Sequence, residues 1–190
     1  MSEGSSSEIN VDIDALPRSV DLVRGPDGAA AFTYLDERLL PYEVRFETTS
    51  DWRVVVDAIK TLAVRGAPAI GIAGAAALAV WASKEGARSA AGHGCACDRD
   101  AFFELMEPVA DEVRSARPTA VNLMWAVDRM KRFALQAAVS SGSSWEIADA
   151  MVEEVLRMED EDIASNRAIG AYGAELLGPG TKALTHCNAG

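Results

Sequence analysis

Apolar positions in this chain change period near residue 50. Upstream, Ser19 to Val23 and Ala31 to Leu35 flank Arg24-Gly25-Pro26-Asp27-Gly28, a turn sequence between two short apolar runs that predicts a hairpin or loop. Tyr42, Val44, Phe46 and Thr48 alternate with Glu43, Arg45 and Glu47, the period of two expected of a half-buried strand. A small antiparallel sheet of about three strands follows. Downstream the period is helical. Ser50 is placed to cap a helix whose face carries Trp52, Val55, Val56, Ile59 and Ala63, since a Ser side chain accepts from the first free N–H groups. An Ala-rich helix starts at Pro68. Phe102, Leu105, Val109 and Val113 line a second amphipathic helix that ends before Arg117-Pro118. Leu123, Val127, Met130 and Ala134 stripe a third, over Ala120 to Ala138. Glu85 to Arg99 is a small-residue loop. Ser143-Ser144-Trp145-Glu146 is a capping box. It opens a helical region through Leu177, with a break expected near Asp160 to Asp162 and its acidic run on a solvated face.

Gly178-Pro179-Gly180 stops that helix, and Lys182 to His186 reads as a strand. A lone strand after a long helix is how a βαβ-type unit begins. The expected fold class is therefore α+β: a mainly helical N-terminal domain with a small antiparallel β-sheet, then the first strand of a truncated Rossmann-like α/β domain. The expected division is a disordered leader over 1–10, the sheet and helices over 11–142, and connecting helices with the start of the next domain over 143–190. On this reading the chain is a fragment cut just after that strand.

Composition narrows the picture. The chain has 190 residues, 49% hydrophobic but only 6% aromatic, so its core is built from Ala, Val, Leu and Ile. A formal net charge of −11 argues against nucleic acid or an anionic membrane as partner, because both reward clustered Lys and Arg. A small phosphorylated ligand needs only one or two well-placed cations and stays open. Gly66 to Ser83 carries no charge and has the length of a membrane span. Its alanines, glycines and proline, without a flanking aromatic-basic belt, indicate a core helix instead. The polar, Ser-rich start lacks the apolar region of a secretory signal, and three cysteines are an odd count for a disulfide scaffold. A reducing cytosol is expected.

Candidate chemistry concentrates where helices begin. In Val64-Arg65-Gly66-Ala67-Pro68, a proline at the first helical position costs no hydrogen bond. Gly66 and Ala67 present unpaired N–H groups at the positive end of the helix dipole, with nothing bulky over them. Arg65 adds a planar fork of donors, and the whole suits a phosphate. An ordinary turn into a buried helix accounts for the same residues. Arg117-Pro118-Thr119-Ala120-Val121-Asn122 repeats the logic, against the alternative of a solvated arginine. Cys187 follows the expected last strand at the end where open α/β sheets bind ligands; otherwise it is a buried small hydrophobe. His186 precedes it and points to the opposite face in a strand. His93, Cys95 and Cys97 match no usual zinc spacing and read as a glycine-rich loop. No metal site is expected. No P-loop, GxGxxG or serine-triad pattern appears, and Gly71-Ile72-Ala73-Gly74 is too short to mean dinucleotide binding.

VRGAPAIGIA at 64–73, RPTAVNLMWA at 117–126, EDIASNRAIGAYGAELL at 161–177 and LTHCNAG at 184–190, with DERLLP at 36–41, resemble the methylthioribose-1-phosphate isomerases. These are aldose–ketose isomerases of methionine salvage within an initiation-factor-2B-like superfamily. The superfamily also holds archaeal ribose-1,5-bisphosphate isomerases and regulatory subunits of the exchange factor for translation initiation factor two. The proline-containing RGAPAIG is closer to the methylthioribose enzymes. The resemblance implies Arg65, Gly66, Ala67 and Arg117 as substrate-binding residues and Cys187 as catalytic. It also implies a cytoplasmic homodimer, with the nucleus open in a eukaryote, acting on a sugar phosphate without cofactor. The family's catalytic aspartate, and further contacts by an Asn-Lys pair and a Gln, fall beyond Gly190, so the fragment itself is expected to be inactive. The ribose-1,5-bisphosphate isomerase and the non-catalytic regulatory subunit remain the alternatives.

Overall fold

A computed structural model describes residues 17–25, 28–86, 88, 98–141 and 143–184. The expected hairpin forms. Strand β1 (Val20–Arg24) pairs antiparallel with β2 (Ala30–Leu35), Val20 opposite Tyr34 and Arg24 opposite Ala30. The turn closes through Gly25 N–H to Ala29 O at 2.7 Å, and Gly28 takes a φ of +79°, which glycine adopts at little cost. Val20, Leu22, Ala30, Phe32 and Tyr34 point inward, alternating as a pleated strand must. Strand β3 (Phe46–Thr49) pairs antiparallel with β2 and completes the order β1-β2-β3.

The expected half-buried strand from Tyr42 is corrected. Residues 37–42 form turns and a bend, with Leu39 N–H bonded to Asp36 O and Tyr42 N–H to Leu39 O, so the strand itself begins only at Phe46. Tyr42 is 97% and Val44 68% exposed. The alternation is present in the sequence, but no described element covers that face.

Helix α1 (Trp52–Lys60) is capped by Asp51 rather than Ser50: the Asp51 carboxylate accepts from Arg53 N–H at 2.9 Å, while Ser50 Oγ accepts from Lys84 Nζ at 2.6 Å. Trp52, Val55, Val56 and Ile59 are buried as expected, and Ala63 is buried just past the helix end. Helix α2 (Ala67–Trp81) is buried on every side from Ile70 onward. It packs against α1, three later helices and β2, which is why it is apolar all round. By length and composition Ala67–Gly86 could cross a membrane; here it is the centre of the core. A π-helical turn, Ala82–Gly86, continues it.

Helix α3 (Asp98–Ser115) begins inside the expected loop and stops before Arg117. Both ends of the expected Glu85 to Arg99 loop are helical instead, Glu85 and Gly86 in the π-helical turn and Asp98 and Arg99 in α3; His93, Cys95 and Cys97 lie outside the described residues. Helix α4 (Val121–Ser140) buries Leu123, Val127, Met130 and Ala134 completely. Helix α5 (Ser144–Glu175) opens on the expected capping box between Ser143 and Glu146 and runs unbroken through Asp160 to Asp162. Its acidic run is not wholly solvated. Glu154 is buried against Arg129, whose Nε donates to it at 2.7 Å, and against Arg157; Glu159 is buried against β1. Residues Ser144 to Glu159 share the core of the preceding helices, whereas most of α5 beyond Asp160 is exposed. Lys182, Ala183 and Leu184 form no strand and are exposed, since no described residue offers them a ladder partner. His186 and Cys187 fall outside the described residues.

Candidate functional site: two helix N-termini on one cleft

Convergence of the two arginine-bearing helix starts begins with glycines of α2. A Cβ on Gly71 would stand 3.2 Å from Asn122 O, and one on Gly74 would stand 2.3 Å from Leu123 Cδ1. The first turn of α4 therefore lies directly on α2, and the segments that precede each helix emerge side by side. The Gly-Ile-Ala-Gly run carries this helix contact.

Between these helix starts is a cleft of about 680 Å³, lined by Arg65, Gly66, Ala67, Ile70, Arg117 and the segment Thr119 to Asn122. Arg65, Gly66, Ala67 and Arg117, all expected as ligand-binding from the sequence, share this one cleft. Gly66 is the N-cap of α2, with φ +90° and no side-chain cap, and Pro68 sits one position further in than expected, Ala67 being first. Ala120 caps α4, again with no side-chain hydrogen bond. Both helices thus direct their first N–H groups and their positive dipole ends to the cleft without a resident side-chain acceptor.

The two cations differ. Arg65 is tethered: Nη2 donates to Glu37 O at 2.5 Å, and Nε lies 3.4 Å from the buried Glu37 carboxylate. Arg117 makes no ion pair among the described residues. A contrasting cleft of about 390 Å³ near the β1–β2 turn contains Arg24, but Asp149 and Glu153 neutralise that cation at 2.8 and 2.7 Å. A smaller space on the far side of Asn122 is lined by Trp125, Met158, Glu161 and Asp162. The Arg129 guanidinium holds the Glu161 carboxyl below the usual carboxylate range, and burial pushes Asp162 above it. The described residues contain no group of three or more His, Cys, Asp or Glu that could hold a metal.

Sequence reasoning missed Glu37 and Ile70, and took Thr119 to Asn122 only as a helix entry without assigning them contacts. Glu37 stands in the DERLLP segment and Asn122 in RPTAVN, yet neither pattern says which partner its residue faces.

A model of the initiation factor 2 subunit family matches residues 63–190. Among individual relatives, a methylthioribose-1-phosphate isomerase of Xanthomonas euvesicatoria pv. vesicatoria is 44% identical over 160 residues, covering 84% of this chain and 41% of the relative. One from Trichlorobacter lovleyi is 41% identical over 161 residues, with 84% and 43% covered. Among solved structures, 5-methylthioribose 1-phosphate isomerase from Pyrococcus horikoshii superposes with a TM-score of 0.71 at 34% identity, covering 86% of this chain and 41% of that one. Translation initiation factor eIF-2B, subunit delta, from A. fulgidus gives 0.67 at 34% identity, with 86% and 42% covered. The chain spans less than half the length of each. The match begins at Ala63, takes in both arginine-bearing helix starts and extends over most of the sequence: the chain belongs to the initiation factor 2 subunit family.

Proposed function

We propose that this chain is the N-terminal, phosphate-binding part of a methylthioribose-1-phosphate isomerase, converting 5-methylthioribose 1-phosphate to 5-methylthioribulose 1-phosphate in methionine salvage. The observation that carries this reading is the single cleft on which two uncapped helix N-termini, Arg65 and Arg117 converge. Oriented N–H groups, helix dipoles and guanidinium forks are the donors a phosphate monoester needs. The substrate for which those relatives are named carries such a group.

The chemistry explains why firm phosphate anchoring matters. A sugar esterified at C1 cannot open spontaneously to an aldehyde, so a proton must be delivered to the ring oxygen before hydrogen moves from C2 to C1. Holding the phosphate fixes C1 and C2 relative to the acid and base. In this proposal Arg65, Gly66, Ala67 and Arg117 bind the substrate, and Cys187 acts in the proton-transfer steps. Residues 143–190 lead into a Rossmann-like domain that supplies the catalytic carboxylic acid, and the complete enzyme is a cytoplasmic homodimer.

The test is turnover by the complete enzyme against a panel of methylthioribose 1-phosphate, ribose 1,5-bisphosphate and unphosphorylated methylthioribose. Preference for the first supports the proposal. No isomerisation of any of them points to the regulatory-subunit alternative. Arg65→Ala and Arg117→Ala should each raise KM by about 10- to 100-fold, because a charge-assisted contact contributes about 1.5–3 kcal/mol. Unchanged KM in both variants would put the phosphate elsewhere.

A further inference from the structure

We propose that Glu37 is a positioning residue for Arg65, holding its guanidinium aimed into the cleft before an anion arrives; this rests on the phosphate-seat reading above. Glu37 lies just after β2, far in sequence from the start of either helix, and is 4% exposed. Its N–H donates to Ala63 O at 3.0 Å, in the connection between α1 and α2. Its carbonyl accepts from Arg65 Nη2 at 2.5 Å, and its Oε2 lies 3.4 Å from Arg65 Nε. One residue thus ties the connection backbone by one hydrogen bond and the guanidinium by a hydrogen bond from Nη2 and an ion pair at Nε, which makes no hydrogen bond among the described residues. The Nε and Nη2 edge faces Glu37, which leaves the Nη1 end directed away from it as Arg65 lines the cleft.

The neighbours make Glu37 a fixed point. Asp36, also buried, accepts from Arg38 N–H at 3.1 Å, Nε at 2.8 Å and Nη2 at 2.6 Å. Arg38 Nη1 in turn donates to Thr61 Oγ1 at 3.1 Å, beyond the end of α1. Asp36 N–H is bonded to Arg45 O at 2.9 Å. The turn is therefore tied on one side of Glu37, through Arg38, to Thr61 in the segment that carries Arg65, and on the other side, through Asp36, to Arg45 just before β3.

A buried carboxylate is costly, and an apolar residue of similar volume commonly serves stability as well. Its negative charge also opposes an incoming anion. A glutamate here is explained by orientation: a guanidinium already held in one direction loses less freedom on binding than a mobile one.

The coupling is read with two probes on the complete protein. Inorganic phosphate affinity, followed by NMR titration, should weaken about 5- to 20-fold in Glu37→Gln. In an Arg65→Ala background the same substitution should change it less than about twofold, because Glu37 then has nothing to aim. With methylthioribose 1-phosphate, Glu37→Gln should raise KM while kcat stays within about twofold. Circular dichroism melts identify a folded variant, and Glu37→Asp, which keeps the backbone contacts and the charge, should recover part of the loss. Unchanged or tighter phosphate binding in Glu37→Gln would overturn the proposal, since charge screening would then be the role. So would losses that add independently in the double variant. Absence of turnover in wild type with the phosphate coupling intact would overturn the isomerase reading alone.

Discussion

Replacing Glu159 by Gln isolates the energetics of one buried carboxylate. Glu159 sits on α5 with a side chain 4% exposed. Its Oε1 accepts from Leu22 N–H on β1 at 2.8 Å, while Oε2 is buried without a hydrogen bond and lies 3.6 Å from the half-exposed Arg18. Burial is the dominant influence and lifts the carboxyl from 4.5 to about 7, against the Leu22 N–H bond that lowers it. Asp21 raises it further and Arg18 lowers it. The folded state therefore binds a proton that the unfolded state has released, in the window from about 4.5 to about 7. The stabilisation is fully present below the unfolded value and is lost as pH rises through the folded one. That interval corresponds to on the order of 3 kcal/mol. Glutamine keeps an oxygen for Leu22 N–H and cannot ionise. Urea unfolding of wild type and Glu159→Gln at several pH values gives the difference directly. The variant should match wild type near pH 4 and exceed it by on the order of 3 kcal/mol at pH 8. A difference that is flat with pH, or a variant less stable at pH 8, would refute the reasoning. Glu159 would then be ionised and paired with Arg18 in the folded protein.

Gly74→Ala should destabilise by about 1–3 kcal/mol despite better helix propensity, because the new methyl meets Leu123 Cδ1 at 2.3 Å; urea unfolding checks this, and Leu123→Val should recover part of the loss. Ser143→Ala removes one half of the reciprocal cap on α5 and should cost about 1 kcal/mol, with faster amide exchange confined to the first turn. Cys187→Ser in the complete enzyme should keep the circular dichroism spectrum yet lose turnover by orders of magnitude, since a hydroxyl is a far weaker acid than a thiol. Paired Cys95→Ser and Cys97→Ser should leave activity unchanged. Normal turnover of the Cys187 variant would remove its catalytic assignment.

Features set by local physics are readable along the chain. The Gly25 to Gly28 turn, the Ser143 box and the stripe from Leu123 to Ala134 depend on contacts within a few residues or on one face of one helix, and each formed where its pattern placed it. Arg65-Gly66-Ala67 and Arg117 were legible as helix starts for the same reason. The resemblance implied one substrate for both, but the contact that brings them together was not legible, because it depends on α4 lying against the bare backbone of Gly71 and Gly74. Helix α2 carries no face in its sequence because neighbours cover it on all sides. Glu154 and Glu159 read as part of a solvated acidic face until Arg129 and the Leu22 amide, supplied from distant segments, make their burial tolerable, and nothing near Glu37 in the sequence shows that Arg65 is its partner. A charge pattern records what a residue is; whether it is buried depends on partners that only the folded chain brings within hydrogen-bonding distance.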